Sequence, residues 1–148
     1  MLKKALVAAV ACAAIALPAV ADQAAVDARK AQFTLFAFNL SVLGGMAQGA
    51  RDYDAAAAQL AADNLFHLTR HDQSRLWPEG SDNMAMDGTR ALPAIWDNLE
   101  DFAAKFAALQ SGAEAMQAVA GTGLDAMRGA MGGIAGACQA CHQANRAP

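Results

Sequence analysis

The chain has 148 residues, 55% of them apolar, and its 14 acidic residues outnumber 11 basic ones for a net charge of -3. That length makes one domain. The acidic balance disfavours a nucleic-acid partner, whose phosphates demand clustered cations.

Residues 1–21 read as a secretory signal: Lys3 and Lys4 form a basic start, 5–17 an apolar run, and Ala19-Val20-Ala21 a small-residue cleavage site. The run is too short for a comfortable membrane span. A lipoprotein signal ending at Cys12 would place Leu three residues earlier, where Ala9 stands. Cleavage leaves a domain over 22–148 in which nine basic residues face 14 acidic ones, a net charge of about -5. Its remaining cysteines are Cys138 and Cys141. In an exported protein such a pair either forms a disulfide or holds a group that consumes both thiols.

No run alternates in the manner of a strand, and apolar residues recur at helical spacing. The first helix is predicted over 24–46, with Val26, Phe33, Phe36, Leu40 and Leu43 on one stripe and Arg29 inside that stripe. Gly44, Gly45 and Gly49 loosen its end, and Asp52 or Asp54 can cap a second helix reaching about 71. Residues 72–90 are rich in turn formers, and a loop of that length in a small bundle covers something or crosses an edge. The third helix starts near Pro93 and carries Ile95, Leu99, Phe102, Phe106, Leu109, Ala113 and Met116 in a repeat of fours and threes, up to Gly121-Thr122-Gly123. The fourth runs over 124–145, with Leu124, Met127, Met131, Ile134, Cys138 and Cys141 on its stripe. The expected fold is therefore all-α, an antiparallel up-down-up-down four-helix bundle packed at shallow angles.

The stretch Cys138-Gln139-Ala140-Cys141-His142 decides the chemistry. On a helix, positions i, i+3 and i+4 share one face, so two thiols and one imidazole crowd together. Each thiol can add across one vinyl group of a haem edge, and the histidine can place a ring nitrogen on the iron; this is the c-type haem attachment signature. One covalently attached haem c is expected per chain, between helices near one end of the bundle. A thiol-disulfide oxidoreductase using the same two cysteines would need the strand-helix alternation of a thioredoxin-like fold, which is missing. Arg29, in an inward stripe, needs an anion or must snorkel to the bundle end. Trp96 is placed beside the haem or in the core. His67 and His71, at i and i+4, make an incomplete metal site. Together with Met46 they are the alternatives for a sixth iron ligand, while Met84 and Met86 lie in the loop as gap-fillers or surface.

The whole of 22–148 resembles the cytochrome c′ family, the class II c-type cytochromes. The resemblance is carried by the C-x-x-C-H close to the C terminus with Arg146 after it, by Ala28-Arg29-Lys30-Ala31-Gln32-Phe33, by Leu76-Trp77-Pro78-Glu79-Gly80-Ser81, and by Ala94-Ile95-Trp96-Asp97 with Asp101-Phe102. It implies that Cys138 and Cys141 make the thioether links and that His142 is the proximal ligand. It further implies that Arg29 pairs with a haem propionate and that Arg146 lies near the proximal histidine, where its charge tunes the iron. Phe33 matches the residue over the open face of the iron, where the six-coordinate, low-spin c-556 type of electron carrier has a ligating methionine. A phenylalanine has no lone pair, so the resemblance implies a five-coordinate, high-spin iron that accepts nitric oxide and carbon monoxide. The expected role is nitric oxide binding and protection, or electron transfer with periplasmic redox partners, in a periplasmic protein that is not an enzyme. An acidic surface would suit a basic redox partner. Dimerisation through the first two helices is common in the resembled family, and Leu35, Phe38 and Val42 offer apolar surface for it. Asn145 departs from the pattern by standing where the family has an aromatic residue, which alters packing around the proximal imidazole.

Overall fold

A computed structural model describes residues 23–148, and the expected signal segment with Cys12 lies outside the described residues. Helix α1, Gln23–Ala47, agrees with the predicted helix to within a residue at each end. Helix α2, Ala55–Leu68, begins where the Asp54 carboxylate accepts from the Ala57 N–H at 2.9 Å. It ends three residues earlier than expected. Thr69 turns its hydroxyl back onto the Phe66 carbonyl, Arg70 N–H bonds the His67 carbonyl, and the chain leaves the helix. His67 is therefore helical, whereas His71 stands in the following turn, bonded to Gln73.

The long connection contains one 3₁₀ turn, Ser74–Leu76. The third predicted helix is split in two. A single turn, α3 (Ala94–Asp97), follows Pro93, and α4 (Leu99–Val119) starts afresh. Asn98 causes the break: its backbone is extended (φ -148°, ψ 76°) and its side chain accepts from the Asp101 N–H at 3.0 Å, so it caps a new helix instead of continuing the old one. The apolar repeat loses phase there. Ile95 is 1% exposed, but Leu99, the next residue of the predicted stripe, is 55% exposed. Helix α5, Leu124–Asn145, has the predicted bounds.

The four long helices form an up-down-up-down bundle in which α1 packs on α2 and α5, and α4 packs on α2 and most extensively on α5. Small residues set that closeness. A Cβ on Gly112 would stand 3.1 Å from the Ile134 backbone nitrogen, so α4 and α5 meet backbone to backbone. The core, built on Leu43, Met46, Met116, Met127 and Ile134 with many alanines, fills the part of the bundle beyond Phe36. The end that carries Arg29 and Cys138 has no such filling. Among the described residues no helix is long and apolar enough to cross a membrane.

One feature has no counterpart in the helical pattern. Ala91 and Arg146 form an antiparallel bridge, in which Leu92 N–H donates to the Asn145 carbonyl (2.9 Å) and Ala147 N–H to the Arg90 carbonyl (2.8 Å). The end of the long loop is thereby tied to the end of α5.

Candidate haem site

At the unfilled end a cavity of about 620 Å³ opens between α1, α4, α5 and the long loop. This lies within the roughly 300–1,000 Å³ usual for small-molecule and cofactor sites. Helix α5 presents Cys138, Cys141, His142 and Asn145 to it, as the i, i+3, i+4 and i+7 spacing requires, and Arg146 follows at the rim. Helix α1 contributes Arg29 and Phe33 to the same cavity.

Cys138 and Cys141 are free, half-buried thiols. Burial pushes both thiols up from their ordinary range, and for Cys138 the neighbouring Cys141 adds to the rise. They are neutral thiols rather than the activated thiolate that redox motifs use. The His142 imidazole is held below its ordinary range, first by burial and then by the charges of Arg146 and Arg90. A neutral imidazole keeps a lone pair for a metal. Its Nδ1 lies 3.3 Å from Arg146 Nη1. Asn145 is 6% exposed, and its amide reaches the Cys141 sulfur at 3.8 Å, a weak contact.

Arg29 is 3% exposed and grips the loop. Nη1 donates to Ser81 Oγ (2.7 Å) and to the Leu76 carbonyl (3.3 Å), and Nη2 donates to Thr89 Oγ1 (2.6 Å) and to the Ser81 carbonyl. The guanidinium faces the Trp77 ring, 4.7 Å from its centroid. Burial lowers its pKa and the charge of Asp82 opposes that. All these hydrogen-bond acceptors are neutral, so the positive charge has no carboxylate in contact among the described residues.

Phe33 is 37% exposed and forms cavity wall, edge-on to Phe36 at 5.6 Å and to Trp77 at 6.3 Å. Trp96 stands one step back. It donates to the Trp77 carbonyl at 3.2 Å, and the ring that reaches the cavity, against Phe33 and Phe102, is that of Trp77. Trp77, Ser81 and Thr89 were not singled out as site residues. Their signal was indirect: a buried arginine requires acceptors, and the loop is where such groups are concentrated. The other candidate iron ligands are elsewhere. Met46 is 3% exposed within the core, Met84 is 81% exposed, and His67, His71 and Met86 do not line the cavity.

The lining suits a haem. Its walls are apolar, two thiols and one neutral imidazole share one of them, and its charged side chains are Arg29, Lys30, Arg90, Lys105 and Arg146, more cations than the two carboxylates of a haem require. A helical bundle with C-x-x-C-H on its last helix, facing an apolar cavity at the bundle end, defines the helical haem proteins of c type. The chain belongs to the Cytochrome C' family, whose sequence model matches residues 24–146. It is 39% identical over 137 residues to cytochrome c-554 of Cereibacter sphaeroides, covering 89% of this chain and 90% of that one. It is also 39% identical over 131 residues to cytochrome c' of the same organism, covering 86% and 88%. Among solved structures, cytochrome c' from Rhodobacter Spheriodes superposes with a TM-score of 0.83 at 38% identity, over 85% of this chain and 98% of that one.

Proposed function

We propose that this protein is a periplasmic haem protein whose single haem c, attached through Cys138 and Cys141, carries a five-coordinate, high-spin iron that binds nitric oxide and carbon monoxide. One observation carries the reading. Phe33 from α1 and His142 from α5 line the same cavity, and among the described residues no methionine and no second histidine lines it. When bound, the haem supplies an iron with one open face, and the chain supplies everything else. His142 holds the iron from the α5 side. Phe33, Phe36 and Trp77 keep the α1 and loop side of the cavity apolar, which favours a small neutral gas over water or an anion. Arg29 offers its charge to a propionate while fastening the loop, and Arg146 places a charge beside the proximal imidazole. Nitric oxide binding and protection, or one-electron transfer, are the roles that follow, and no catalytic turnover belongs to this reading. Residues 1–21 act as the export signal.

The test is the optical and spin-resonance spectrum of the haem-loaded protein, ferric and ferrous, before and after nitric oxide and carbon monoxide. High-spin spectra that change with gas are expected. A low-spin spectrum indifferent to carbon monoxide would establish a sixth side-chain ligand and the c-556-type electron carrier in its place.

Dimerisation through α1 and α2 is part of the proposal. Leu35 and Phe38 are 48% and 65% exposed, and Leu60 on α2 is 62% exposed. Val42 contributes less than its position suggested, being half-buried against the core. A single monomer mass at all concentrations in ultracentrifugation would refute it.

A further inference from the structure

The charges around the cavity oppose those of the chain. Among the described residues five cationic side chains and no carboxylate line it, although acidic residues outnumber basic ones by 14 to 11 overall. Two of the five are engaged: Arg29 is buried in the loop's grip, and Lys105 pairs with Asp101. Arg90 and Arg146 are exposed at the rim and form no ion pair among the described residues. Together with His142, Gln139 and Gln143 they also line a shallow outer depression of about 330 Å³.

The arrangement there is fixed. Arg90 donates from Nε (2.9 Å) and Nη2 (2.6 Å) to the Ala147 carbonyl, which holds its guanidinium against the Ala91–Arg146 bridge. Arg146 Nη1 faces His142 Nδ1 at 3.3 Å. Arg90 and Arg146 thus bring two guanidiniums, groups that only donate hydrogen bonds, to the same depression. An acceptor with negative charge fits that convergence.

We propose that this rim is the docking surface for an acidic electron-transfer partner, one carboxylate of which seats between Arg90 and Arg146 against the edge of His142. The inference rests on the haem reading above. It reverses the partner charge that the whole-chain balance suggests, because beyond a Debye length of about 10 Å exposed charges are largely screened and the local cations decide the encounter. One electron passes from the ferrous haem to the partner, leaving ferric haem and a partner reduced by one electron; no atom is transferred.

The experiment is stopped-flow oxidation of the ferrous holoprotein by two one-electron reagents of opposite charge: ferricyanide, and a tris-phenanthroline cobalt(III) cation. The ferricyanide rate is expected to fall several-fold between about 100 mM and about 1 M salt, where the Debye length shrinks from about 10 Å to about 3 Å. Arg90→Gln should cut that rate by about two- to fivefold at low salt, without slowing the cobalt reagent. Arg90→Lys, which retains the charge, should restore it, so that loss through a disturbed loop is told apart. Arg51→Gln, beyond the far end of α1, removes one charge and should change neither rate. A ferricyanide rate that rises with salt, or equal effects of Arg90→Gln and Arg51→Gln, would overturn the docking surface with the haem reading intact. A purified protein without a Soret band would remove the haem reading itself, and the docking inference with it.

Discussion

The guanidinium of Arg29, on α1, lies 4.7 Å from the centroid of the Trp77 ring, and its Nη atoms reach Leu76, Ser81 and Thr89 on either side of that ring. A buried cation thus serves as the template on which the long loop is wound. The loop in turn presents Trp77 to Phe33 and Phe102 and closes one side of the cavity. Burying an unpaired charge is unfavourable, and here the full set of neutral acceptors and the aromatic face offset it.

Replacing Arg29 by alanine should therefore release the loop. Several buried acceptors lose their donor at once, and a loss of roughly 2–4 kcal/mol is expected in urea unfolding. Lysine keeps the charge but cannot span Ser81 and Thr89 with one ammonium, so it should recover only part. Limited proteolysis gives an independent readout, with new cleavage between 77 and 90 in the alanine variant. An unchanged digestion pattern would show that the loop holds without this anchor.

Gly112 and Gly129 are both helical glycines with opposite expectations. A Cβ on Gly112 would meet Ile134 N at 3.1 Å, Gly133 C at 3.2 Å and Ile134 Cα at 3.3 Å, all backbone atoms that cannot swing away. Gly112→Ala should force α4 and α5 apart and cost about 1–3 kcal/mol. Nothing lies within 4 Å of the same probe on Gly129. Gly129→Ala should instead stabilise by roughly 0.5–1 kcal/mol through helix propensity. Thermal unfolding of the two variants decides between packing and propensity.

The helices were legible because their stripes are long: the apolar period fixed α1 and α5 almost to the residue, and it placed Cys138 and Cys141 on the inward face. Arg29 was legible for the opposite reason, as a charge interrupting such a stripe. What escaped lay in single side chains and distant contacts. The Asn98 cap leaves the apolar count of the third helix undisturbed while resetting its phase. Nor could spacing choose Trp77 over Trp96 for the cavity wall. The loop's course is set by bonds from Arg29 to residues 47 to 60 positions away, and by the Ala91–Arg146 bridge, neither of which a local pattern encodes.

Asp63 supplies the clearest pH dependence of stability. Its carboxylate accepts from Gln59 Nε2 (2.9 Å) and from Gln117 Nε2 (3.0 Å), pinning α2 to α4, and these two bonds, with a smaller contribution from His67, outweigh burial to hold its pKa below the ordinary 3.8. The folded state then binds its proton less readily than the unfolded chain does. The contribution is fully present above about pH 4 and is lost as pH falls through the depressed value. Asp63→Asn should remove that contribution, so that the variant is less stable at neutral pH, its acid limb below about pH 4 is flatter, and the two proteins converge at low pH. Parallel acid limbs in the two proteins would assign acid unfolding to other carboxylates.

Phe33→Met tests whether the distal wall sets the coordination. Phe33 is part of the cavity surface, 37% exposed, so exchanging it for a flexible side chain of similar volume should cost less than about 1.5 kcal/mol. The chemical change is larger. A thioether replaces a ring with no lone pair, one turn along α1 from Arg29, in the wall of the cavity that His142 also lines. If the haem stands between them, the sulfur becomes a sixth ligand, the spectra turn low-spin, and carbon monoxide must displace it, slowing uptake by about tenfold or more. Leucine at the same position is the control, since it opens space without adding a donor and should remain high-spin. Identical spectra for the methionine and leucine variants would mean that residue 33 is out of reach of the iron, and that another part of the wall keeps its face open.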